Sequence, residues 1–75
     1  MDKVTFGHRL RIVRKEQHLT SEKLSEICEI SPVFVRQIEC AMRTPSLKVF
    51  ARLCVELDIS ADYLLGDGME EPKKE

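Results

Sequence analysis

The sequence predicts an all-α domain of five short helices. Apolar residues recur at helical spacing along most of the chain, and no stretch alternates apolar and polar residues for long. Four sites carry the Ser, Thr or Pro that starts a helix. With 75 residues, 43% of them hydrophobic and 33% charged, there is room for one domain with one modest core.

The first helix is expected from about Val4 to Gln17. Phe6, Leu10 and Val13 form its apolar stripe, and Arg9, Arg11 and Arg14 lie between them. Thr20 offers its hydroxyl to cap a second helix, whose apolar face is Leu24, Ile27 and Cys28. Ser31 as cap and Pro32 at the first helical position start a third, which runs through Val35 and Ile38 to about Cys40. Pro45-Ser46 starts a fourth, with Leu47, Phe50, Ala51, Cys54 and Leu57 on one side. Ser60 caps a fifth, which ends at Gly66, a residue suited to a left-handed position. Residues 1–67 are read as the domain, and residues 68–75 as a frayed tail of mixed charge with too little apolar content to fold. The helices at about 20–28 and 31–40, joined by a tight turn, match a helix-turn-helix, whose second helix can enter a major groove.

Several classes of function are set aside. No apolar run approaches the roughly 18–20 residues of a membrane span, and no signal peptide is visible, so the chain reads as cytoplasmic. Cys28, Cys40 and Cys54 lack the paired spacing of a zinc site and are read as small core or half-buried side chains, Cys40 the least secure of them. His8 and His18 are too isolated to hold a metal. Neither a nucleophile with its base, a paired acidic site nor a glycine-rich phosphate loop is present, so no enzyme, cofactor or small-molecule substrate is expected.

The net charge of −1 conceals a division. Residues 1–52 carry ten Lys/Arg against six Asp/Glu, whereas residues 53–75 carry two against seven. One part of the molecule thus suits a polyanion. On a helical wheel the third helix turns Phe34, Val35 and Ile38 inward and Pro32, Val33, Arg36, Gln37 and Cys40 outward. Arg36 has the fork for guanine O6 and N7, Gln37 the amide for adenine N6 and N7, and Val33 an apolar surface for a thymine methyl. The alternative is that Arg36 and Gln37 are ordinary solvated side chains.

The run from Leu10 to Asp67 resembles the Cro/C-type phage-repressor, or Xre-type, helix-turn-helix regulators. The resemblance rests on Arg14, Leu19-Thr20, Leu24, Ile30-Ser31, Val35, Ile38-Glu39, Arg43, Pro45-Ser46-Leu47 and the closing stretch from Ile59 to Asp67. It implies a five-helix lambda-repressor-like DNA-binding domain, a homodimer on double-stranded DNA, and transcriptional control without catalysis. By position, Arg14 and Glu39 correspond to a partly buried ion pair between the first and third helices; the alternative is that both face water. Phosphate contacts are expected from Ser21, Arg43, Thr44, Ser46 and Lys48, together with the backbone N–H groups of Ser46 and Leu47. Arg43 has the alternative role of capping the carbonyls of the third helix. Tyr63 and Leu65 are the expected dimer contacts, or else they close the core.

The chain also departs from this family. Ser21 stands where a Gln is usual, and His18, Glu29 and Ala41 stand where glycine is common. Lys23 replaces the acid that would complete a capping box with Thr20, and Pro32 and Val33 replace polar base readers. These departures, with the exposed Pro32-Val33 pair, motivate a rival reading: a protein–protein interaction module that keeps the fold without specific DNA reading.

Overall fold

A computed structural model describes residues 2–66, and those residues form five helices: α1 (Lys3–Glu16), α2 (Ser21–Cys28), α3 (Pro32–Glu39), α4 (Leu47–Leu57) and α5 (Ala61–Leu65). Each begins at a side-chain cap. The hydroxyls of Thr20, Ser31, Ser46 and Ser60 accept from the backbone N–H of Lys23, Phe34, Val49 and Tyr63, each three residues on. Asp2 caps α1 instead, accepting from the Val4 N–H and the Thr5 hydroxyl, and these bonds hold its carboxyl below the ordinary carboxylate range.

The core is a single cluster of Phe6, Leu10, Val13, Leu24, Cys28, Val35, Ile38, Leu53, Leu57 and Leu64, to which every helix contributes. The ring of Phe50 flanks it, tilted 48° to that of Phe6 at 5.6 Å between centroids. Helix α3 packs on α2 and α1, α4 on α2, and α5 on α1. Polar ties fasten the ends: Gln17 donates to the Leu57 carbonyl at 2.8 Å, and Arg52 on α4 lies 3.4 Å from Glu29 at the close of α2. None of the described helices is long and apolar enough to cross a membrane.

Among the described residues, four that are not glycine take left-handed backbone conformations: His18, Glu29, Ala41 and Asp58, with φ of 60°, 60°, 63° and 56°. Glu29 and Asp58 end α2 and α4 directly. Three of the four are the positions where the related regulators commonly carry glycine, so this chain keeps the geometry without the residue that adopts it at least cost.

Two expectations require correction. The inward side of α4 is Leu53 and Leu57, flanked by Phe50 and Cys54, whereas Leu47 is 81% exposed and Ala51 also faces solvent. Helix α4 has apolar residues around most of its circumference, and only the side toward α2 and the core can be covered. Cys40 is exposed on the outer side of α3, where the helical wheel places it, so the reading of the three cysteines as core or half-buried fails there and holds for Cys28, which is buried, and Cys54, which is half-buried. Burial pushes both of those thiols above the ordinary cysteine value. The tail at 68–75 lies outside the described residues.

Candidate nucleic-acid interface

Helix α3 is held from beneath at two levels. Val35 and Ile38 anchor it in the core. Near its carboxyl end, Gly7 of α1 comes so close that a Cβ there would collide with the carbonyl oxygen of Ile38 and lie 2.8 Å from that of Glu39. Only glycine allows this approach.

Beside that contact the Arg14 guanidinium grips Glu39 with two bonds, Nε to Oε2 at 2.7 Å and Nη2 to Oε1 at 3.0 Å. Its Nη1 donates to the Leu19 carbonyl at 2.8 Å, so the guanidinium also fixes the turn before α2. The two side chains are only 11% and 6% exposed, and the Glu39 hydrogen bond raises the Arg14 pKa above its already high value. Among the described residues no buried side-chain nitrogen or oxygen lacks a partner.

The opposite side of α3 is open. Val33 is 54% exposed, Arg36 and Cys40 are exposed, and Pro32 and Gln37 are half-buried. Arg36 does not hang free: its Nη1 lies 3.4 Å from the Glu22 carboxylate in the first turn of α2. The Gln37 carbonyl accepts from the backbone N–H of Met42 at 2.8 Å and of Arg43 at 3.3 Å. The turn after α3 is therefore closed by backbone bonds. The Arg43 guanidinium lies over the Phe34 ring, 5.4 Å from its centroid.

Two groups of phosphate candidates flank this face. Ser21, half-buried at the start of α2, shares a cleft of about 210 Å³ with Arg11, Arg14, Arg36, Glu39 and Cys40. Arg43, Thr44, Ser46 and Lys48 are all exposed along the loop into α4. Because the Ser46 hydroxyl caps the Val49 N–H, the first N–H groups of α4, at Leu47 and Lys48, have no partner within their own helix. Tyr63 and Leu65 lie apart from this cleft and loop, on α5. The Tyr63 ring sits under the Arg9 guanidinium, 5.0 Å from its centroid, and the Tyr63 carbonyl accepts from Arg9 Nη1 at 3.0 Å; Leu65 is half-buried.

Sequence reasoning passed over Arg11 and Glu22. Arg11 sits at a spacing of three from Arg14, which was a usable signal for a shared face. Glu22 meets Arg36 only because α2 and α3 cross, and no local pattern announces that.

Residues 10–64 match the HTH_3 helix-turn-helix family, and the chain belongs to it. Among solved structures it is similar to the restriction-modification controller protein C.AhdI of Aeromonas hydrophila, with 33% identity and a TM-score of 0.79, covering 84% of this chain and 96% of that one. It is also similar to the clp gene regulator ClgR of Corynebacterium glutamicum, with 25% identity and a TM-score of 0.80 over 87% of this chain and 69% of that one. A hypothetical transcription factor from Neisseria, 19% identical with a TM-score of 0.83 over 100% of this chain and 86% of that one, shares the fold. No curated protein is significantly similar in sequence. The protein is a DNA-binding regulator of transcription.

Proposed function

We propose that the protein reads a specific, two-fold symmetric operator as a homodimer, each subunit setting α3 into the major groove of one half-site. The observation that carries this reading is the division of α3, braced on its inner side by Gly7 and the Arg14–Glu39 pair while Val33 and Arg36 stand in solvent. Base contacts come from Arg36, Gln37 and Val33. Ser21, Arg43, Thr44, Ser46 and Lys48, with the free N–H groups opening α4, fix the register on the phosphates. One half-site per subunit calls for a dimer, and Tyr63 and Leu65 contribute to its surface. No step of this function needs a cofactor or a reaction, and a regulator acting on DNA belongs in the cytoplasm.

The test is selection of bound sequences from random duplex DNA at moderate salt. The expected outcome is a two-fold symmetric motif that blurs at separate positions with Arg36→Ala and Gln37→Ala, each losing about 1–3 kcal/mol of discrimination. Absence of any enriched sequence would favour a protein-interaction module, for which the exposed Val33 beside Pro32 would be the contact.

A further inference from the structure

The arginines of the described residues are not all held alike. Arg9, Arg14, Arg36 and Arg52 each spend guanidinium N–H groups on the contact that fixes them, giving them to a carbonyl or a carboxylate. Arg43 instead lies over the Phe34 ring, and no hydrogen bond or ion pair engages its guanidinium among the described residues. A ring face attracts the cation yet takes up no conventional hydrogen bond, so the N–H donors of Arg43 keep their capacity for phosphate oxygens.

We propose that Phe34 is a positioning residue for DNA binding: its ring holds the Arg43 guanidinium, before DNA arrives, where the phosphate backbone will pass. The inference rests on the phosphate role given to Arg43 above and names what prepares it.

Phe34 is half-buried and packs against the core cluster, and its backbone N–H is bonded to the Ser31 hydroxyl. The ring therefore stands on the anchored first turn of α3. The Arg43 backbone N–H donates to the Gln37 carbonyl at 3.3 Å, which ties the loop to the end of that helix. Gln37 lies one turn beyond Phe34, so the Arg43 side chain reaches back along the border between the buried and outward sides of α3. Phosphates line both walls of a groove, so a helix set into it meets them along its borders and the base edges on its outward side. A loop arginine without such a contact samples many rotamers and gives up that freedom when it binds. The ring removes part of this cost in the free protein. Arg36 provides the contrast: its Glu22 partner occupies the N–H groups that a nucleic acid needs and must be displaced, whereas Phe34 can stay in place in the complex.

The test is a double-variant cycle read by fluorescence anisotropy on a labelled duplex of arbitrary sequence at low salt, since phosphate contacts do not depend on sequence. Phe34→Leu keeps an apolar side chain and is expected to weaken binding about three- to tenfold. Its salt slope should stay unchanged, because the arginine still reaches the phosphate once bound. Phe34→Tyr keeps the ring face and is expected to bind as the wild type does. Arg43→Gln is expected to reduce the slope by about 0.9 per subunit, and in that background Phe34→Leu should have no further effect. Without DNA, NMR is expected to find the Arg43 side-chain protons shifted upfield by the ring in the wild type and Phe34→Tyr, and not in Phe34→Leu. Circular dichroism melting checks that each variant folds, and Phe34→Met replaces Phe34→Leu if the latter does not.

Equal weakening by Phe34→Leu with and without Arg43 would make the ring purely structural and overturn the proposal. So would an unaltered affinity of Phe34→Leu, a wild-type slope in Arg43→Gln, absence of the upfield shift, or a wild type that does not bind the duplex. Coupling between the two residues with no enriched sequence in the selection above would reject operator reading and leave the role of Phe34 standing. A symmetric motif without coupling would reject the role of Phe34 alone.

Discussion

Removing the Glu39 carboxylate would leave the Arg14 guanidinium, 11% exposed, with one carbonyl partner at Leu19 in place of three bonds. Stranding a buried charge costs more than the pair itself contributes, so Glu39→Ala is expected to destabilise the fold by about 3 kcal/mol, read as a fall in denaturant midpoint. An unchanged midpoint would mean that water reaches the arginine freely. Glu29 works in the other direction. Its φ of 60° is strained for a residue with a Cβ, and its ion pair with Arg52 is exposed at 3.4 Å. Glu29→Gly removes the strain and loses only a weak surface pair, so it is expected to raise stability by about 1 kcal/mol in the same measurement. A loss of stability would show that the Arg52 contact outweighs the backbone strain. The left-handed set was legible at His18, Glu29 and Ala41 through the likeness to related regulators. Asp58 was not, since nothing around it departs from an ordinary helix end. Gly7 was equally illegible, because its reason is a backbone more than thirty residues away.

At the scale of the helix, start signals were the most readable feature. A Ser or Thr hydroxyl bonds an N–H three residues later, and that interaction is local enough to be written in the sequence. Which side of a helix is buried was less readable. For α1 and α3 most apolar residues fill one stripe, with Val4 and Val33 left in solvent, so the inward side follows. Around α4 they occupy positions 47, 49, 50, 51, 53, 54, 55 and 57, and tertiary packing alone decides among them. The ion pair of Arg36 with Glu22 across the helix-turn-helix is likewise tertiary, and its part in DNA binding is open to measurement. Before Arg36 can meet a base edge it must leave the carboxylate, which also repels phosphate. Glu22→Gln keeps the size and removes the charge, so it is expected to tighten DNA binding several-fold at low salt, with the gain shrinking as salt rises. Fluorescence anisotropy against a fixed duplex at two ionic strengths checks this; equal affinity at both would show that the pair plays no part in binding.

For the whole molecule, a net charge of −1 would ordinarily argue against a polyanion partner. The distribution matters more than the sum. Arg11, Arg36, Arg43 and Lys48 lie along the cleft and loop that flank α3, while much of the acidic charge follows position 53. A protein so divided is expected to bind duplex DNA with a steep salt dependence, the logarithm of affinity falling by about 0.9 per neutralised phosphate for each unit of log salt. Arg11→Ala should make that slope shallower by about one phosphate per subunit, as measured in a salt titration of binding, without altering the preferred sequence. An unchanged slope would show that Arg11 does not reach the backbone.

The contact between the first and last helices has one more consequence. Gly66, at the close of α5, leaves no room for a Cβ beside the Thr5 methyl and the Arg9 guanidinium, and Arg9 also clasps Tyr63. The path from residue 2 to residue 66 thus returns to its own beginning, as in a nearly closed ring. Two labels placed at residues 5 and 66 would therefore report on one another, and a rise in their separation would mark α1 and α5 parting.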